Sequence, residues 1–159
     1  MDAPENEAAP AFWCDAMLGG LARWLRAAGY DAAWVEGIDD KDLVRRALAD
    51  RRILLTSDRE LMRHGAITSE LVRALFLPPG MGKLEQLRFV LNGLGLVRLD
   101  PRCMACGGEL EPIPREAARP EVPPRTFAWR KDFQRCGRCA KVLWRGTHWQ
   151  RIDALLGSL

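Results

Sequence analysis

Apolar residues fall along this chain in short runs separated by turn-forming residues, and the runs alternate between two periods. Ala11-Phe-Trp-Cys14 is continuous, closes on Asp15 and predicts a buried strand. Leu18, Leu21, Ala22, Leu25 and Ala28 then recur at helical spacing, and Gly29 stops that helix. Ala32-Ala-Trp-Val35 predicts a second strand. Asp39 and Asp40 offer N-caps to a helix whose apolar face is Leu43, Val44, Ala47 and Leu48. Arg52-Ile-Leu-Leu-Thr56 predicts a third strand, and Asp58 to Arg63 a short helix. Leu71 to Leu77 predicts a fourth strand, ended by Pro78-Pro79-Gly80, and Lys83 to Leu94 a further helix. Strands alternating with helices at short intervals imply an α/β fold, a doubly wound parallel sheet covered on both faces. Such sheets bind ligands at the carboxyl ends of their strands.

The pattern changes near Asp100-Pro101. Pro112, Pro114, Pro120, Pro123 and Pro124 break any regular period and predict a loop or extended arm. The expected organisation is therefore a disordered tail over residues 1–10, an α/β domain over 11–100 and a small module over 101–159. That module contains Cys103-x-x-Cys106 and Cys136-x-x-Cys139. A thiolate pair at this spacing grips one metal ion from a tight turn, and two pairs complete the closed, tetrahedral four-cysteine geometry of structural zinc. The alternatives are four unrelated core thiols or a pair of redox dithiols. Paired cysteines behind an N-terminus without a basic segment and apolar run point to a reducing, cytoplasmic setting. No apolar run approaches the roughly 20 residues of a membrane span.

Charge divides at the same boundary. Residues 1–100 carry 13 Lys and Arg against 15 Asp and Glu, whereas residues 101–159 carry 11 against 6. The basic part suits a polyanion. Lys141-Val-Leu-Trp-Arg-Gly-Thr-His-Trp149 sets Trp144 and Trp149 among Lys141 and Arg145, a mixture that serves base stacking and phosphate contact in single-stranded nucleic acid. Packing of the small module onto the main domain would use the same tryptophans. His148 offers a ligand, a proton shuttle or a plain hydrogen bond. On the first helix, Arg23 and Arg26 stand three apart, on one face, where they can hold a phosphate or simply meet solvent.

The acids of the first part cluster by position. Asp15 ends strand one, Asp39, Asp40 and Asp42 follow strand two, and Asp58 follows strand three. In a parallel sheet all of them emerge at one edge. Clustered carboxylates repel unless a cation neutralises them, so Asp15, Asp40 and Asp58 are a candidate Mg²⁺ or Mn²⁺ site able to support phosphodiester cleavage. Each is also placed to cap a helix. Asp31, Asp50 and Asp100 read as surface or turn residues.

Four blocks of the sequence resemble the Mut-seven C-terminal RNase domain family. They are Phe12 to Asp31, Arg52 to Leu61, Pro101 to Leu110 and Cys136 to Trp149. That family is similar to PIN domains, so the resemblance implies a PIN-like α/β nuclease followed by a zinc ribbon that aids RNA binding. It implies a metal-dependent ribonuclease with Asp15, Asp40 and Asp58 as catalytic acids, and with Asp39 and Asp42 as neighbouring substitutes. It also calls for an acidic stretch after strand four. This chain has Leu77-Pro-Pro-Gly-Met-Gly-Lys83 there, which leaves Glu85 as the candidate fourth acid. The missing acid favours one rival, a non-catalytic RNA-binding protein that keeps the fold. A phosphatase of the Asp-x-Asp kind would need an acid where Met17 stands.

Overall fold

The computed structural model describes residues 8–159. The expected tail thus lies, over residues 1–7, outside the described residues. The first sheet has four strands, β1 (Phe12–Cys14), β2 (Ala32–Ala33), β3 (Ile53–Thr56) and β4 (Ala74–Phe76), in the order β2-β1-β3-β4. All its pairings are parallel, with Phe12 opposite Ala32 and Ile53, and Leu54 opposite Ala74. The strands are shorter than the apolar runs. Trp34 and Val35 extend past β2 without pairing, and Trp34 instead packs beside α1.

Strand alternation sorts the core into two layers. Phe12, Cys14, Ile53 and Leu55 face α1 (Gly19–Ala27) and α4 (Lys83–Gly93). Trp13 and Leu54 face α2 (Asp40–Ala49) and α3 (Gly65–Thr68) on the other side. The chain leaves β1 for β2 on one side and β3 for β4 on the other, so the connections diverge between β1 and β3. In open α/β sheets such a divergence is where ligands bind, outside the carboxyl ends of the two strands. The helix expected from Asp58 is reduced to a 3-10 turn at Leu61–Arg63.

The cysteine module is an antiparallel sheet of three strands, β5 (Leu110–Ile113), β6 (Phe133–Cys136) and β7 (Val142–Leu143). The proline-rich segment is not an extended arm. It holds α5 (Arg115–Ala118) and α6 (Pro124–Trp129), because Pro123 and Pro124 stand at a helix start, where a missing N–H costs nothing. Ala118, Val122, Phe127 and Phe133 make a small core of their own there.

A last helix, α7 (Thr147–Gly157), lies beyond the elements that the apolar pattern predicts. It sends Ile152 and Leu156 into the layer formed by β1, α1 and α4. The two sheets are distinct, but one hydrophobic core runs between the two parts of the chain. Polar contacts reinforce the join. Arg26 is buried, and its guanidinium donates to the carbonyls of Ala32, Met104 and Ala105. Asp31 is not the plain surface acid that the sequence suggests. It pairs with Arg52 and with Arg138 of the ribbon, each at 2.9 Å.

Candidate active site

Asp15 is buried at the end of β1, with 4 % of its surface exposed. A buried carboxylate is costly unless hydrogen-bonded. One oxygen accepts the Ala16 N–H at 2.7 Å, and the other accepts the Thr56 hydroxyl at 2.6 Å. The same Thr56 oxygen accepts the Asp58 N–H at 2.9 Å. Thr56 is fully buried and links the ends of β1 and β3 directly. It carries no charge and is missing from the residues singled out above. Its only signal in the sequence is a hydroxyl closing an otherwise apolar strand.

Asp58 is half-buried and accepts the Glu60 N–H at 2.8 Å. Asp40 opens α2, but Asp39 is the residue that caps it, accepting from the Asp42 N–H at 2.9 Å. Asp40 is thereby left without a capping duty. Desolvation and then the charges of Asp15, Asp58 and Asp39 push its carboxyl above the usual carboxylate range, with His64 acting the other way. Asp40 thus feels the charges of Asp15 and Asp58, but among the described residues the ribbon cysteines are the one group of three or more potential ligands whose donor atoms converge closely enough to hold an ion. Among the described residues, none of Asp15, Asp40 and Asp58 takes part in an ion pair.

The substitute acids are engaged elsewhere. Asp42 pairs with Arg45 at 2.7 Å, and Glu85 accepts the Gly82 N–H at 2.8 Å, capping α4. No acid follows β4 before Glu85. Cys14 lies beneath Asp15, where burial pushes its thiol to about 12, so it remains a protonated core residue.

The four thiols of the ribbon converge far more tightly. The Sγ atoms of Cys103, Cys106, Cys136 and Cys139 all lie within 4.8 Å of one another. The Cys103–Cys139 separation is 3.8 Å and the Cys106–Cys136 separation 3.4 Å. A Zn–S bond of about 2.3 Å gives a tetrahedron with edges of about 3.8 Å. Backbone N–H groups of Gly108, Arg138 and Cys139 donate to the sulfurs, as thiolate ligands need. Burial alone would raise the Cys136 thiol, but the N–H groups of Cys139 and Arg138 and the neighbouring thiols bring it to about 6. Gly108 is required here, since a Cβ would stand 2.6 Å from the Cys136 sulfur. The cluster suggests a structural zinc, with no open position for catalysis.

The expected RNA contacts separate into two groups. Arg26 is corrected by its burial, because its guanidinium is committed to protein carbonyls. Arg23, one turn earlier, is exposed. It lines a groove of about 300 Å³ with Arg102, Trp144, Arg145, His148 and Trp149, and among the described residues no acid lines it. A second hollow joins Arg23 and His148 to Lys83 and Gly20. Lys83 lies so close over Gly20 that a Cβ there would meet its stem at 2.6 Å. The groove therefore follows α1 towards the sheet edge that carries Asp15. Trp144 also packs edge-on against Phe133, with ring centres 6.4 Å apart, and Arg145 lies 5.7 Å over the Trp149 ring. Both tryptophans thus combine packing with groove lining.

These features define a class: an α/β protein with carboxylates at the carboxyl ends of a parallel sheet and a four-cysteine ribbon docked on its flank. The family model of the Mut7-C RNAse domain matches residues 10–156, and the chain belongs to that family. Membership implies a ribonuclease, with RNA as its substrate. No curated protein and no solved structure matches. Among the described residues, no helix is long and apolar enough to cross a membrane.

Proposed function

We propose that the protein is a metal-dependent endoribonuclease. Asp15, Asp40 and Asp58 would hold Mg²⁺ or Mn²⁺, and the ribbon would hold zinc and grip RNA. The observation that carries this reading is the hydrogen-bonded chain Asp15–Thr56–Asp58 across the ends of two adjacent strands, with Asp40 near enough that, after desolvation, the charges of both acids raise its carboxyl. Hard carboxylate oxygens suit these ions. A bound ion would supply an activated water and stabilise charge on the leaving oxygen. The chain's own residues supply the rest. Thr56 fixes the acids of β1 and β3 in place. Arg23, Lys83 and Arg145 bind the phosphates, while Trp144, Trp149 and His148 line the path of the strand.

The test is cleavage of a generic single-stranded RNA by zinc-loaded protein, with and without added Mn²⁺ or Mg²⁺. Asp15→Asn and Asp58→Asn should each lower the rate by about two to four orders of magnitude, the scale of several kcal/mol of transition-state stabilisation. Wild-type rates in both variants would remove the assignment.

One observation favours a second reading. Glu85 caps its own helix, and no acid follows β4 before it, so the cluster has three members rather than four. A protein that binds RNA and cleaves none with either ion would be a non-catalytic RNA-binding member of the fold.

A further inference from the structure

Trp129 ends α6 with 81 % of its surface exposed. The other tryptophans all pack against one of the cores. A single exposed apolar residue is ordinary. Three features set this one apart.

First, its backbone is braced. Arg115 donates to the carbonyls of Phe127 and Arg130, on either side of Trp129, and lies 3.7 Å over the Phe127 ring. The indole is therefore presented from a fixed segment. Second, it borders a concave surface of about 490 Å³ that also carries Arg130, Lys131, Trp144 and Arg145, with Asp132 the one acid in its lining among the described residues. Third, that surface continues into the groove beside α1, because Gln134, Trp144 and Arg145 line both. Cations and aromatic faces thus follow one another from Trp129, past Trp144 and Arg145, to Arg23, His148 and Lys83.

We propose that Trp129 is a stacking platform for an unpaired base, at the far end of a track that leads single-stranded RNA to the acidic sheet edge. The identity of the nucleic acid rests on the ribonuclease reading above. The cations of the track suit phosphates, and a flat, solvent-facing indole suits a base of any sequence. A base inside a duplex has both faces covered by its neighbours and cannot stack on it. The platform therefore selects single strands, and only those long enough to reach it from that edge.

The experiment is binding of fluorescently labelled RNA to zinc-loaded protein without added Mg²⁺ or Mn²⁺. A long single strand, a short one and a duplex of the same sequence are compared. Trp129→Ala should weaken the long single strand about 5- to 150-fold, the usual effect of losing one stacked base. Trp129→Phe should retain most of the affinity, and duplex affinity and melting temperature should not change. Unchanged affinity of Trp129→Ala for the long single strand would overturn the proposal, as would an equal loss for the duplex. Cleavage on addition of Mn²⁺ is then measured separately. Binding through Trp129 without cleavage sinks only the ribonuclease reading. Cleavage that is indifferent to Trp129, with unchanged binding, sinks only the platform.

Discussion

Thr56 donates its hydroxyl hydrogen to Asp15 at 2.6 Å while its oxygen accepts the backbone N–H of Asp58 at 2.9 Å. One buried side chain thus couples the ends of two neighbouring strands, and it can be tested as a positioning residue. Thr56→Val keeps the shape but removes both bonds. It should cost about 1–3 kcal/mol, since a buried carboxylate oxygen and an N–H lose their partner. Denaturant unfolding reads the stability. RNA cleavage should fall in kcat with KM little changed, and Thr56→Ser should restore it. A kcat that follows only the unfolded fraction would reduce Thr56 to a structural role.

Asp40 gives a pH-dependent prediction. Its folded-state carboxyl lies above the ordinary value because of desolvation and the charges of Asp15, Asp58 and Asp39. A raised acid binds its proton more tightly in the folded chain, so its ionised form opposes folding. That penalty is present above the folded-state pKa and disappears as pH falls below the ordinary value of about 4. Asp40→Asn should therefore raise the melting temperature at pH 7 in metal-free buffer and leave it unchanged near pH 3. Added Mn²⁺ should stabilise the wild type more than the variant. Equal melting temperatures at pH 7 would show that the acids do not repel one another.

Zinc should be present at about one ion per chain, as one closed set of four cysteine ligands requires. Cys136→Ser should lose it, and elemental analysis checks this. The loss should also lower the melting transition of the parallel sheet, because Ile152 and Leu156 belong to the same core as Phe12 and Leu55. Two separate transitions, with the sheet's unchanged, would mean that the halves stand independently.

Arg23 and Arg26 should give opposite results. Arg26→Met leaves the carbonyls of Ala32, Met104 and Ala105 without their donor, and should destabilise the fold by about 1–3 kcal/mol. RNA affinity of the folded fraction should hold. Arg23→Ala should leave stability alone, weaken RNA binding and reduce its salt dependence, since fewer counterions are released. Thermal melts and RNA titrations over a salt series separate the two.

The apolar runs that end at Asp15 and Thr56 are short and continuous, as strands covered on both faces must be, and they made the parallel sheet legible. The Cys-x-x-Cys pairs were legible because thiolate geometry constrains spacing directly. Arg26 was not. Its three-residue spacing from Arg23 describes an isolated helix, and what buries it is a carbonyl pair some eighty residues away in the chain. Asp31 was hidden for the same reason, its second partner being Arg138. The helices α5 and α6 were obscured by prolines that start helices as readily as they break them. Thr56 escaped because hydroxyl bonding partners leave no periodic mark.

The place of α7 bears on how the protein is made. A growing polypeptide emerges amino end first and packs what it has. Here Phe12 and Leu55 appear early, while Ile152 and Leu156, which complete their layer, appear late. The core layer beneath the end of β1 is therefore finished only after the four ribbon cysteines have left the ribosome. A truncated translation product that stops before α7 would lack Ile152 and Leu156 and would leave that layer poorly packed.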